Sequence, residues 1–460
     1  MIRHKLCLSG LLLVLVSSSL HAQTGLRLSK IWDMTLSDYP GIDLKEAQLE
    51  ESRVVKQLTR NNNFLPSVQL QLQNSIGSYQ SSSGSFFPLP GVINTNGRAS
   101  TLPGQPEAAF NTFGSVVADW KFFEFGRKTL AMKAADQGIE RATSDLNAQQ
   151  LKLRARSTQL YLNILNSKVN LIWALENAAR TKQIFELSAS LSVAGLKPGA
   201  DSSLALSSYL QTLSAQEEWT AKLGSDLTEL TALAPKVDTA QGLAYGPYLN
   251  AATFRDDQVQ ISANHPYLQV LESTVEYGRT QAALAGRRAL PTVSAIGGLA
   301  LRGSGIGPDG LVDNRLAAGY NNGAANYLVG LAVTFNITDA FNSSLERERI
   351  AQKVRADQAS YTIRKLDLEA NLSSVTMRIA GQKKQIVNVM AAVKNARLAY
   401  DLYMSRYESG LISLTELLQI QSILQLAEKN NIDAHQQLWE QILVESEATG
   451  DFSYLQNQFN

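Results

Sequence analysis

Few residues of this sequence stand at spacings that chemistry requires. Gly305-Ile306-Gly307-Pro308-Asp309-Gly310 has the glycine spacing of a dinucleotide loop. Such a loop must join a strand to a helix, so that its amides point at a pyrophosphate. Pro308 breaks the turn and no helical pattern follows at once, so the match is accidental. His265 and His435 are the only histidines after residue 22. They lie far apart, without carboxylates at metal-ligand spacing, and read as structural or surface residues. No nucleophile elbow is present and the serines gather in loop-like stretches, so hydrolase chemistry has no constellation. The sequence points to no catalytic residue, no metal and no cofactor, and reads as that of a non-enzyme.

Two acids remain. Asp201 and Glu416 each follow a Gly-Leu pair, Gly195-Leu196 and Gly410-Leu411. Ser413-Leu414-Thr415-Glu416 has the form of a capping box, and Asp201 suits a helix start through the helix dipole. These acids can therefore serve helix ends, a narrow passage, or both.

The elements that carry them begin with an export signal. Arg3 and Lys5 precede an apolar run from Leu6 to Val16, and Ser17 to Ala22 offers small residues for cleavage, so residues 1–22 read as a signal peptide. The run is too short for a membrane anchor, which needs about 20 apolar residues. Cleavage removes Cys7, the only cysteine, which excludes disulfides and thiol chemistry. It also leaves 40 basic against 41 acidic residues, a balance that excludes a broad nucleic-acid surface. No later apolar stretch is long enough to span a bilayer as a helix, so a membrane crossing would have to use β-strands.

The remaining chain is written twice. Pro40 and Pro266 open similar stretches 226 residues apart, and Leu65-Pro66 and Leu290-Pro291 close them at a shift of 225. Trp120 to Glu124 matches Phe335 to Asp339, and Ala194-Gly195-Leu196 matches Ser409-Gly410-Leu411, both at a shift of 215. Between Asn342 and Gly410 there is no proline and one glycine, Gly381; the matching interval holds only Gly138. Leu372, Ile379, Ile386, Val393, Tyr400 and Tyr407 are spaced by sevens. Val354, Tyr361, Leu368, Val375, Val389, Ala396 and Tyr403 interleave with them, and Gln382 is the polar break in that second series. Helices of this length run about 100 Å at 1.5 Å per residue and need coiled-coil partners throughout.

Tyr327, Val329, Leu331, Val333, Phe335 and Ile337 alternate with smaller or polar residues, and Val68, Leu70 and Leu72 alternate with glutamines. One apolar and one polar face over about ten residues suits a strand between lipid and a wet lumen. Val293 to Leu301 and Phe113 to Trp120 are less regular candidates. Between the paired strands lie Gly77 to Ala109 and Arg302 to Asn326, which read as loops poor in structure and facing outward, or as flexible linkers. The expected fold is an α+β membrane protein. A first repeat spans 23–254, with strands at about 66–76 and 110–122 and a helical hairpin at about 127–233. A second spans 255–460, with strands at about 291–301 and 327–338 and a hairpin at about 343–448. Four strands cannot close a membrane barrel, since the smallest use about eight. A three-fold ring would supply twelve.

This pattern resembles the TolC family of outer-membrane efflux and secretion channels across the whole chain after the signal. The resemblance rests on the duplicated Leu-Pro entries, the run Trp120-Lys121-Phe122-Phe123-Glu124-Phe125-Gly126-Arg127, and the two Gly-Leu turns followed by an acid. In the second copy Phe341-Asn342 stands where the first has Gly126-Arg127. The resemblance implies a homotrimer with a 12-stranded barrel in the outer membrane of a Gram-negative bacterium and a helical tunnel in the periplasm. It also implies a belt that would include Gln23 to Tyr39, Pro235 to Arg255 and the C-terminal tail. Gly195, Leu196, Gly410 and Leu411 would form the tip where a periplasmic adaptor protein docks, with an inner-membrane transporter beyond it. The family's closed gate falls on Tyr407 and Asp201, with Glu416 and Gln419 narrowing the bore. Its arginine position holds Ile412, so the charged latch is reduced. The implied function is an exit channel for a tripartite efflux pump or a type I secretion system, in contact with outer-membrane lipid and not with nucleic acid. The alternative is a periplasmic coiled-coil adaptor without a barrel.

Overall fold

The computed structural model describes residues 27–78, 104, 106, 108–238, 248–249 and 259–459. The expected signal peptide lies outside the described residues, as do most of the loop expected at 77–109 and much of the 235–255 connection. The chain divides into two compact units. One comprises Leu44–Ala148 and Pro266–Lys365 and bears a sheet. The other, whose described elements are all helices, comprises Met1–Asp43, Gln149–His265 and Leu366–Asn460. Two long helices, α3 (Arg127–Val193) and α6 (Ile337–Glu408), contribute to both.

In the sheet-bearing unit, α2 (Pro40–Phe64) leads into β1 (Ser67–Ser78), and β2 (Ala108–Phe123) leads into α3. Helix α5 (Pro266–Arg287) leads into β3 (Thr292–Ser304), and β4 (Ala324–Thr334) leads into α6. The strands form one antiparallel sheet in the order β1-β2-β3-β4, open at both edges among the described residues. Its register decides the character of each face. Val68, Ala118, Gly297 and Val329 share a row, as do Leu70, Val116, Leu299 and Tyr327, and Leu72, Gly114, Leu301 and Ala325. Every residue in these rows is apolar, and because side chains alternate along a strand they all lie on one face. The opposite face carries Gln69, Gln71, Gln73, Ser115, Ser294 and Asn326 in the intervening rows. The apolar face is bare: Leu72 is 79% exposed, Val329 83% and Tyr327 85%.

The helices of this unit repeat the strand order. Lys45 pairs with Asp145 and Lys56 with Asp136, joining α2 to α3. The Arg141 guanidinium lies 4.9 Å from the centre of the Tyr277 ring, joining α3 to α5. Arg364 over Tyr267 joins α5 to α6. There a Cβ on Gly278 would stand 2.8 Å from Val354, so the small residue permits the approach.

Two expectations are corrected here. Alternation carried β4 to about 338 and started the helix at about 343, yet β4 ends at Thr334 and α6 starts at Ile337. Asn336 is the cause, since its side-chain oxygen accepts from the amides of Thr338 and Asp339 and so starts the helix early. The β3–β4 connection is also not poor in structure. It contains a 3-10 turn at Leu316–Tyr320 and a bridge between Ile306 and Val312. The Asn322 side chain donates to Ser304 and Ile306 carbonyls. Its glycines allow backbone contact, for a Cβ on Gly305 would meet the Asp313 carbonyl at 2.3 Å. The dinucleotide-like glycines thus belong to a folded hairpin.

In the helical unit, α4 (Gly199–Leu233) follows α3, and α7 (Leu414–Thr449) follows α6. Helix α1 (Leu28–Asp38) and helix α8 (Ser453–Phe459) complete it. Trp439 and Tyr161 both pack edge-on against Phe459, at 4.8 and 5.5 Å, and Trp32 packs against Phe452. The Trp439 indole donates to the Tyr248 carbonyl at 3.0 Å, and the Trp32 indole to the Thr158 hydroxyl at 2.9 Å. Three segments expected to share a belt, the N-terminal helix, the connection around Tyr248 and the C-terminal tail, therefore meet in one core. The heptad positions Leu368, Val375, Ile379, Ile386, Tyr400 and Tyr407 are buried. Gln382, the polar break, donates its amide to the Ala434 carbonyl at 2.9 Å and so ties α6 to α7.

Glycine within the long helices has no such contacts. A Cβ on Gly138 or Gly381 meets nothing within 4 Å, and neither has a positive φ. Alanine at either position should stabilise the fold by about 0.5–1 kcal/mol, read as a raised unfolding midpoint in denaturant. Gly195→Ala should do the reverse, because Gly195 has φ of 73°.

Candidate functional site

The residues singled out by sequence lie at the two turns of the helical unit. Both turns are built alike. Helix α3 ends at Val193, Gly195 takes φ of 73°, and the Leu196 amide donates back to the Leu191 carbonyl at 2.9 Å. Helix α6 ends at Glu408, Gly410 takes φ of 73°, and the Leu411 amide donates to the Arg406 carbonyl at 2.9 Å. This is a Schellman closure, which needs a residue tolerant of the left-handed region. Open space surrounds both glycines, so conformation and not crowding selects them. Leu196 and Leu411 are each 70% exposed.

The helices that leave the turns start differently. Ser413 caps α7: its hydroxyl accepts from the Glu416 amide at 3.3 Å, and the Glu416 carboxylate accepts from the Ser413 amide at 2.9 Å. The capping box read in the sequence is present. Helix α4 starts behind Pro198 with no side-chain cap, and Asp201 sits in its first turn, half-exposed. Glu416 and Gln419 are exposed.

Tyr407 does not join them. It is fully buried with Ile184 of α3, Ala205 of α4, Tyr400 and Met404 of α6, and Leu414, Leu417 and Leu424 of α7. Among the described residues its hydroxyl has no hydrogen-bond partner, so within the chain it makes no bond to Asp201. The heptad explains this, since Tyr407 continues the inward series through Val393 and Tyr400. Ile412, at the position of the missing arginine, packs against the same cluster. The Lys197 ammonium stands 5.8 Å from the Tyr407 ring centre, bringing the first turn to the second hairpin.

A polar network deeper in the same unit escaped the reading of sequence. Gln421, Glu428 and His435 are seven apart on the buried stripe of α7. Glu428 receives Arg180 of α3 at 2.5 Å and Arg397 of α6 at 2.8 Å. The hydrogen bond from Arg397 to Glu428 raises the arginine above its ordinary pKa. Gln421 donates to Asn177 at 3.2 Å, and Arg180 donates to the same Asn177 oxygen at 2.9 Å. His435 meets the Asn431 carbonyl at 2.8 Å, and burial pushes its pKa down. His265, also buried, meets the Glu447 carbonyl at 3.0 Å. Among the described residues no group of three or more histidine, cysteine, aspartate or glutamate residues could hold a metal, and no helix is long and apolar enough to cross a membrane.

The signal for this network was a seven-residue polar spacing inside an apolar stripe. Glu428→Gln leaves the largely buried Arg180 without its carboxylate and should cost about 3 kcal/mol. Arg397 is half-exposed, so Arg397→Gln should cost under about 1 kcal/mol. Unfolding midpoints of the two variants measure the contrast.

The arrangement is one of structural turns, packed helices and an amphipathic sheet, which can line a passage. Residues 259–443 match the family model described as outer membrane efflux protein. No curated protein matches the chain significantly. Among solved structures, the chain is similar to the outer-membrane channel OprN, at 17% identity and a TM-score of 0.71, covering 92% of this chain and 89% of that one. It is similar to the Campylobacter jejuni CmeC outer membrane channel, at 15% identity and a TM-score of 0.73, covering 92% and 85%. It also resembles the open state of the Neisseria gonorrhoeae MtrE outer membrane channel, at 16% identity and a TM-score of 0.69, covering 92% and 89%. The second half of the chain thus matches the outer membrane efflux protein family, and the fold across its length is that of the outer-membrane channels.

Proposed function

We propose that this chain is one protomer of a homotrimeric exit channel in the outer membrane of a Gram-negative bacterium. It would receive substrates from an inner-membrane transporter through a periplasmic adaptor protein, in a tripartite efflux pump or a type I secretion system. The observation that carries this reading is the sheet. Its register gathers apolar side chains of all four strands on one bare face, while among the described residues both edges stay unpaired. Lipid accounts for the face, and neighbouring copies account for the edges, since no backbone group can stay unpaired in hydrocarbon. Three copies give twelve strands, with the long helices continuing into the periplasm. The matched hairpins, 67 and 35 residues against 72 and 36, support a duplicated origin. A periplasmic adaptor without a barrel gives no reason for the bare apolar face.

Native mass measurement in detergent should give three copies, and a stable monomer would overturn the reading. Val329→Arg, on the apolar face, should destabilise the assembly in lipid by about 2–4 kcal/mol at mid-bilayer depth, whereas Asn326→Arg on the polar face should be tolerated. Equal effects of the two variants would remove the lipid assignment.

We further infer that the passage closes at the Gly-Leu turns, with Asp201, Glu416 and Gln419 lining the narrow end and Leu196 and Leu411 offered to the adaptor. Tyr407 serves this gate by packing, since its ring joins four helix ends and its hydroxyl meets no partner among the described residues. Tyr407→Phe should therefore leave single-channel conductance in planar bilayers nearly unchanged. Tyr407→Ala, at a cost of about 3–5 kcal/mol of packing, should raise it. If the phenylalanine raises conductance as much as the alanine, a hydrogen-bonded latch holds the gate instead. Asp201→Asn with Glu416→Gln should weaken cation preference and leave assembly intact, because glutamine still completes a capping box.

A further inference from the structure

Toward the helices, the apolar face of the sheet ends in a band of aromatic rings. Its two rows nearest the helices are Trp120, Ala295 and Leu331, and Phe123, Val293 and Val333. Trp120 and Phe123 are exposed, as are Phe64, Phe122, Phe125 and Phe335 beside them. Exposed rings at the border of an apolar face suit the level of lipid headgroups, where one side of a ring is apolar and the other wet.

Each group of rings carries a cation on its helical side. The Trp120 indole donates to the Phe64 carbonyl at 3.0 Å, and the Lys128 ammonium stands 5.2 Å from the centre of the Phe64 ring. Phe123 and Phe125 pack edge-on at 4.7 Å, and Arg287 donates to the Phe125 carbonyl at 3.3 Å. Lys128 also donates to the Lys121 carbonyl. An ammonium has three donors and a guanidinium five, so both cations keep protons to offer. The local charge is positive. In the connections at 61–66, 124–128, 287–291 and 335–340, Glu124 pairs with Arg127, which leaves Lys128, Arg287 and Arg288 against Asp339.

We propose that this band binds anionic glycerophospholipid of the periplasmic leaflet. Lys128 and Arg287 meet the headgroup phosphates, and the rings lie beside the glycerol and the upper acyl chains. The proposal rests on the lipid assignment of the apolar face made above. A zwitterionic headgroup offsets its phosphate with an ammonium of its own, so cations on the band favour phosphatidylglycerol over phosphatidylethanolamine.

Native mass spectrometry of the full detergent-purified protein, incubated with equal amounts of these two lipids, reads the lipid retained and the number of copies in one spectrum. Three copies should retain phosphatidylglycerol over phosphatidylethanolamine about twentyfold, from about fivefold per cation. Lys128→Gln and Arg287→Gln should each lower that preference about fivefold. Arg315→Gln, in the β3–β4 connection, should leave it unchanged. A trimer that retains both lipids equally would overturn the proposal and leave the channel reading standing, whereas a monomer would overturn both. The proposal also fails if Lys128→Gln and Arg287→Gln leave the preference unchanged. An equal loss in Arg315→Gln would make the effect one of overall charge, and displacement of the lipid by millimolar inorganic phosphate would make the site one for a free anion; either result overturns the lipid assignment.

Discussion

The constraint on which the rest of this structure depends is the pairing of backbone amides and carbonyls in the four-stranded sheet. Among the described residues, β2 and β3 are paired on both sides, whereas β1 and β4 each keep one open edge. Water can satisfy such an edge and hydrocarbon cannot. In the barrel proposed above, a neighbouring copy on each side would complete the sheet. The helices follow the order of the sheet, because α2, α3, α5 and α6 contact one another in the order of the strands they adjoin.

The sheet's faces could be read only in part before the strands were paired. β4 and the start of β1 announced themselves by alternation, but Val293 to Leu301 did not, because Ala295 and Gly297 stand where bulky residues were expected. Across the sheet the pattern becomes clear. Gly297 lies between Ala118 and Val329 in one row and Gly114 lies between Leu72 and Leu301 in another, so small residues sit beside large ones. That complementarity belongs to the row, and no single strand displays it. The end of β4 was misread for a different reason: alternation continues through Ile337, but the Asn336 side chain captures two amides and starts the helix first.

At the turns the sequence was more informative. The Gly-Leu pairs and the capping box are local chemistry, and local chemistry is legible residue by residue. Tyr407 was harder because two arguments competed for it. Family likeness made it a latch, while the heptad through Val393 and Tyr400 made it core, and within the chain the heptad prevails. The network around Glu428 went unread because attention to apolar periodicity passes over the polar residues that share the same period.

That shared period has a consequence for how the helices find their alignment. A coiled coil with a uniform apolar seam can slide by seven residues at little cost, since the seam looks the same after the shift. On α7 the three buried polar residues are spaced by seven, but each answers a different counterpart: Gln421 an asparagine, Glu428 two guanidiniums, His435 a carbonyl of its own helix. A slip of one heptad in one direction would set a glutamine against two arginines, and in the other a carboxylate against an amide oxygen. The stripe thus works as a coded edge, admitting one alignment among several that hydrophobic packing alone would accept, and it sets where along the rods the two turns must end.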